Sequence, residues 1–122
     1  MNVATRSPAP VPEIPIDELL TRFEVEDPEA VRSFLFANPL LLFPLRESVP
    51  HVEAAFGDSV SVALEPVVDP ESDDSPVLCA LIAFPGGNID EAEERLRRFR
   101  RGWWYTARPR TSETLIFDVE MR

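Results

Sequence analysis

The chain has 122 residues, 44% of them apolar, and a net charge of −10. That is enough apolar material for one domain with its own core, which excludes a globally disordered chain. A single cysteine excludes an internal disulfide, and no apolar run approaches the ~20 residues that span a bilayer. The run Leu40 to Leu45 is broken by Pro44. The N-terminus lacks the basic-then-apolar order of a signal peptide, so the expected location is the cytoplasm, with no membrane partner.

Residues 1–15, MNVATRSPAPVPEIP, carry Pro8, Pro10, Pro12 and Pro15 and few large apolar groups. Proline at this density removes the donors that helices and ladders need, so a disordered tail is expected there. Residues 16–122 then read as a single α+β domain.

Ile16, Leu19, Leu20 and Phe23 lie at helical spacing and predict a short first helix. In DPEAVRSFLFAN, Asp27 is a cap, Pro28 suits the first helical position, and Val31, Phe34 and Leu35 form the buried stripe. Asn38 is expected to end this helix and cap the next. The third helix runs through NPLLLFPLRESVPHVEAAFG on a stripe of Leu41, Leu45, Val49, Val52 and Phe56. Pro44 and Pro50 predict a kink in it. The period then changes to two. Val60, Val62 and Leu64 predict a half-buried strand, and VLCALIAF a central strand apolar on both faces. The two should form a hairpin across the acidic loop DPESDDSP.

Asn88 with Glu91 three residues later is a capping box, followed by an amphipathic fourth helix with Ala92, Leu96, Phe99 and Trp103 inward. TLIFDVEMR is the last strand, with Leu115, Phe117 and Val119 on one face. The expected architecture is three N-terminal helices, a β-hairpin, a helix and a final strand, closing as a small three-stranded sheet with helices on one face. The last strand could lie parallel to the second or return antiparallel beside the first.

The blocks VRSFLFANPLLLFPL, LEPVVDPESDD and AEERLRRFRRGWW, followed by LIFDVEMR, resemble a family of small bacterial α+β proteins. Members share an Asn-Pro helix start, here Asn38–Pro39, a hairpin with Asp-Pro-Glu, here Asp69–Pro70–Glu71, and a helix ending in a tryptophan pair, here Trp103–Trp104. The resemblance covers residues 16 to 121. It implies an antitoxin or accessory protein encoded beside a toxin-like nuclease. This chain departs from the pattern at Pro44 and Pro50, and in carrying arginines where members carry acids before Trp103.

The residues offer little reaction chemistry. His51 is the only histidine and Cys79 the only cysteine, so a nucleophile–base pair or a zinc site is not expected. His51 reads as a surface or packing residue, and Cys79 as a small hydrophobe. The loop acids Asp69, Glu71, Asp73 and Asp74 lack the glycine and glutamate of a calcium loop, since Asp74 and Ala80 stand in those places. Four acids after PGGN would repel a phosphate. No cofactor or metal is expected.

The informative segment is RLRRFRRGWWYTARPR, residues 95–110. Residues 1–94 carry a balance of −15, whereas residues 95–122 carry +5. Glu91–Arg95, Glu93–Arg97 and Glu94–Arg98 can pair at i, i+4. Arg100, Arg101, Arg108 and Arg110 have no acid four residues before them. Arginine with tryptophan and tyrosine is the composition of protein-interface hot spots. The expectation is a non-enzymatic protein-binding module with Arg97, Arg100, Arg101, Trp104, Arg108 and Arg110 as its partner-binding residues. The alternative is nucleic-acid binding through Arg97, Arg100, Arg101 and Trp104, which the acidic remainder of the chain opposes.

Overall fold

The computed structural model describes residues 15–68, 76–111 and 114–121. The proline-rich tail before Pro15 and the acidic hairpin tip, with Asp69, Glu71, Asp73 and Asp74, lie outside the described residues.

Helix α1, Ile16–Leu20, opens with the Leu19 N–H on the carbonyl of Pro15 (3.0 Å). It buries Leu19, with Ile16, Leu20 and Phe23 packed at the core's margin. α2 spans Pro28–Ala37. Asp27 caps it through the Ala30 N–H (3.2 Å), and Pro28 fills the first position, where its missing N–H has no intrahelical partner to lose. Asn38 does not cap the next helix. Its Nδ2 donates back to the Phe34 carbonyl (2.9 Å) and its N–H to that of Leu35 (3.1 Å). The side chain thus satisfies an orphan carbonyl of the helix it ends.

A 3₁₀ turn, Pro39–Leu41, leads into α3, Leu42–Phe56. Pro44 is the third residue of α3, within the first turn, where backbone donors have no intrahelical acceptor. It therefore neither breaks nor splits the helix. Pro50 sits inside α3, which continues to Phe56. Gly57, at φ 92°, takes a positive-φ conformation that glycine adopts without strain, and the helix stops there.

The sheet differs from the expected one in having four strands. β1 (Glu24–Val25), β2 (Ser61–Val67), β3 (Val77–Phe84) and β4 (Leu115–Met121) lie in the order β1-β2-β3-β4. β2 and β3 form the expected antiparallel pair, Ser61 opposite Ala83 and Val67 opposite Val77. β1 adds in parallel, Glu24 beside Ala63 and Val25 beside Leu64. Two residues show no alternation, which is why the strand left no mark in the sequence pattern. Because β1 reaches only Ala63 and Leu64, Pro66 stands at an edge, where a missing N–H is tolerated. β4 runs parallel to β3, Leu78 beside Leu115 and Phe84 beside Met121. The intervening helix α4, Ile89–Phe99, makes the crossover that parallel strands require.

One face of the sheet carries Val62, Leu64, Leu78, Ala80, Ile82, Phe84, Leu115 and Phe117 into a continuous core with the helices. The alternate residues Ala63, Cys79, Leu81, Ala83 and Ile116 face the other way and belong to no part of that core. The fold is α+β, with its helical core on one face of a mixed sheet.

Candidate partner-binding surface

Asn88 caps α4 by accepting the Glu91 N–H (3.0 Å). Arg95 pairs with Glu91 (2.9 Å), donates to the Ala55 carbonyl (3.1 Å) and lies over the Phe84 ring at 5.8 Å, tying α4 to α3. Glu94 serves both Arg97 and Arg98, the latter at 4.0 Å. Arg97 thus takes its partner three residues back rather than the expected Glu93, since both spacings put side chains side by side.

Beyond Phe99 the geometry changes. Arg100–Trp104 is π-helical, followed by one α turn, Tyr105–Ala107, and a 3₁₀ turn, Arg108–Thr111. Phe99 and Trp103 are buried as expected, at 2% and 9% exposure. Trp104, expected on the outer surface, is buried too, at 5%. On an α-helix it would sit about 140° from Phe99. The wider i→i+5 turn brings a residue five places on back over its start, so Phe99, Trp103 and Trp104 share one side. Phe117 of β4 is what they pack on. Its ring meets Trp104 at 4.8 Å, Phe99 at 5.0 Å and Trp103 at 6.2 Å. Trp104 is therefore mainly a support of this surface, and the little of it that is accessible lines the smaller of the two grooves there.

The π segment brings the remaining residues together. Arg97, Arg100, Arg101 and Tyr105 line an open groove of about 630 Å³ with Glu93, Leu96 and Asp118. A smaller one of about 260 Å³ continues it past Arg100, Tyr105 and Arg108 to Ile116. Arg100 is half-buried and donates to the Phe117 carbonyl (3.3 Å). Arg101 is exposed and has no ion-pair partner among the described residues. Arg110 lies apart, paired with Glu47 of α3. The 3₁₀ turn that carries Arg108 and Arg110 packs against Pro39–Leu41.

The tyrosine counted in this segment's composition, Tyr105, was not named among the expected partner-binding residues, yet it is 56% exposed between Arg101 and Arg108. Also unanticipated are the exposed apolar residues Phe36, Leu40 and Phe43, of which Phe36 is 81% exposed. These three were legible as apolar residues left off the Val31–Phe34–Leu35 and Leu41–Leu45 stripes.

His51 is exposed, and its ring stacks on Trp103 at 5.0 Å with planes 13° apart. It is a packing residue. Cys79 is buried on the sheet face turned away from the helices. Burial pushes its thiol pKa up, and the nearby carboxylates of Asp118 and Glu65 push it further, which opposes thiolate formation. Among the described residues no group of three His, Cys, Asp or Glu side chains could hold a metal ion. No helix among them is long and apolar enough to cross a membrane. Comparison with family models, with curated proteins and with solved structures gives no match to this chain.

Proposed function

We propose that the protein is a non-enzymatic protein-binding module of the antitoxin or accessory kind, and that Arg97, Arg100, Arg101, Tyr105 and Arg108 form its contact surface. One observation carries this reading: an exposed tyrosine stands among these arginines along two adjoining grooves, on a base of buried tryptophans. Tyrosine and arginine are the residues that dominate interface energetics, and a rigid base lowers the entropy cost of presenting them. Arg110, held by Glu47, lies outside this surface and can at most extend it. The partner implied by the family resemblance is a toxin-like nuclease encoded beside this gene.

Direct nucleic-acid binding is the second reading. Tyr105 between two arginines has the composition of a base-stacking platform. Glu93 and Asp118 on the same groove and the net charge of −10 weigh against it.

Co-purification with the neighbouring gene product is the test. Arg101→Glu and Tyr105→Ala should each weaken that complex about tenfold or more while circular dichroism stays unchanged. A complex indifferent to both changes sinks the reading. A salt-dependent shift of a single-stranded oligonucleotide, abolished by Arg101→Glu, would establish the second reading instead.

A further inference from the structure

β4 is an outermost strand of the sheet. The Leu78 N–H bonds to the Thr114 carbonyl (2.8 Å), and Leu78 lies beside Leu115. In a parallel ladder this phase turns the backbone groups of Thr114, Ile116, Asp118 and Glu120 toward β3. Those of Leu115, Phe117, Val119 and Met121 then point outward. Side chains occupy two of the outward groups. Arg100 donates to the Phe117 carbonyl, and Oδ1 of Asp118 accepts the Val119 N–H (2.8 Å). Each stands where a neighbouring strand's amide or carbonyl would otherwise bond.

The two grooves described above are walled by β4 on one side and by α4 with its π continuation on the other. A strand edge beside a helix, with a groove between them, is a setting in which extended peptides add to a sheet. Main-chain bonds to the edge supply affinity, and the helix side chains select. The grooves are lined by four arginines, Arg97, Arg100, Arg101 and Arg108, of which Arg97 pairs with Glu94, against the acids Glu93 of α4 and Asp118 of β4.

We propose that the outer edge of β4 takes up an extended, acidic segment of a partner protein as a fifth strand, with the groove arginines pairing its carboxylates. The partner's backbone N–H replaces Arg100 on the Phe117 carbonyl and releases that guanidinium toward the incoming acid. The inference rests on the arginine-surface reading and adds how the partner's main chain is held.

The test uses the full chain and two probes: the peptide Glu-Val-Glu-Thr-Glu-Val-Glu-Thr, and a copy with every backbone nitrogen methylated. The copy keeps every charge but cannot complete a ladder. The unmodified peptide should bind at least tenfold more tightly than the copy. It should also slow amide exchange at Leu115, Phe117 and Met121 at least tenfold, and Arg101→Glu should weaken its binding. Equal binding of the two probes, both weakened by Arg101→Glu, overturns strand addition and leaves the arginine surface standing. Tight, methylation-sensitive binding that ignores Arg101→Glu overturns the acidic choice of partner and the arginine reading with it. No binding of either probe overturns the strand proposal, and the complex with the neighbouring gene product then decides the arginine surface separately. Slow exchange at the same amides in a concentration-dependent dimer without peptide identifies a second copy as the occupant, which also overturns it.

Discussion

The two halves of the last long helix obey different rules. From Ile89 to Phe99 each side chain sits where a period of 3.6 puts it: a capped start, acids near the N-terminus, arginines near the C-terminus, and Ala92, Leu96 and Phe99 inward. From Arg100 to Trp104 the chain widens so that two consecutive tryptophans both reach the core. On a regular α-helix Trp104 would stand about 140° from Phe99, and the wider turn brings it round to the same side. The burial of a second large ring on Phe117 outweighs the cost of distorting one turn. The same distortion gathers Arg100, Arg101 and Tyr105 along β4. The regular half is thus governed by local interactions, and the irregular half by a strand far along the chain.

Removing a ring from the irregular half should break this contrast most severely. Trp104→Ala should cost about 3–5 kcal/mol in urea denaturation, as large-to-small core changes do. Its neighbour Tyr105→Ala should cost under about 0.5 kcal/mol, as an exposed change does. Equal, small losses would mean that the two aromatic residues do not divide between core and surface.

In the regular half a smaller effect should come from the cap. Asn88→Ala leaves the Glu91 N–H without its acceptor and should lower stability by about 1 kcal/mol.

Gly102 sharpens the comparison in the opposite direction. A Cβ there would meet nothing within 4 Å, and only Gly57 and Gly86 have positive φ. Gly102→Ala should therefore raise stability by about 0.4–1 kcal/mol, by restricting the unfolded chain. A loss on thermal unfolding would show that the π turn needs glycine's freedom. At Gly57, with φ 92°, the same change to alanine should destabilise.

The smallest effect belongs to the exposed ion pairs. Glu94→Gln removes the partner of both Arg97 and Arg98, yet each exposed pair contributes only about 0.2–0.5 kcal/mol. Most of that difference should vanish in 1 M salt, where screening acts within about 3 Å.

Local physics in the sequence determined much of this protein. The caps at Asp27 and Asn88, the stop at Gly57, the buried stripes of α2, α3 and α4, and the alternation that pairs β2 with β3 all follow from a few neighbouring residues. The excess of arginine near the end was equally plain, and so was the class of fold. Tertiary structure alone decided the rest. Glu24–Val25 became a strand because β2 offers it an edge, and β4 chose the parallel side of β3. Trp104 turned inward because Phe117 was there to receive it, and so Tyr105 rather than Trp104 became the exposed ring. A helix or strand period reports only which residues share a side. Which strand lies beside which, and whether a turn widens to bury one more ring, depends on contacts between distant segments whose energies no local spacing records.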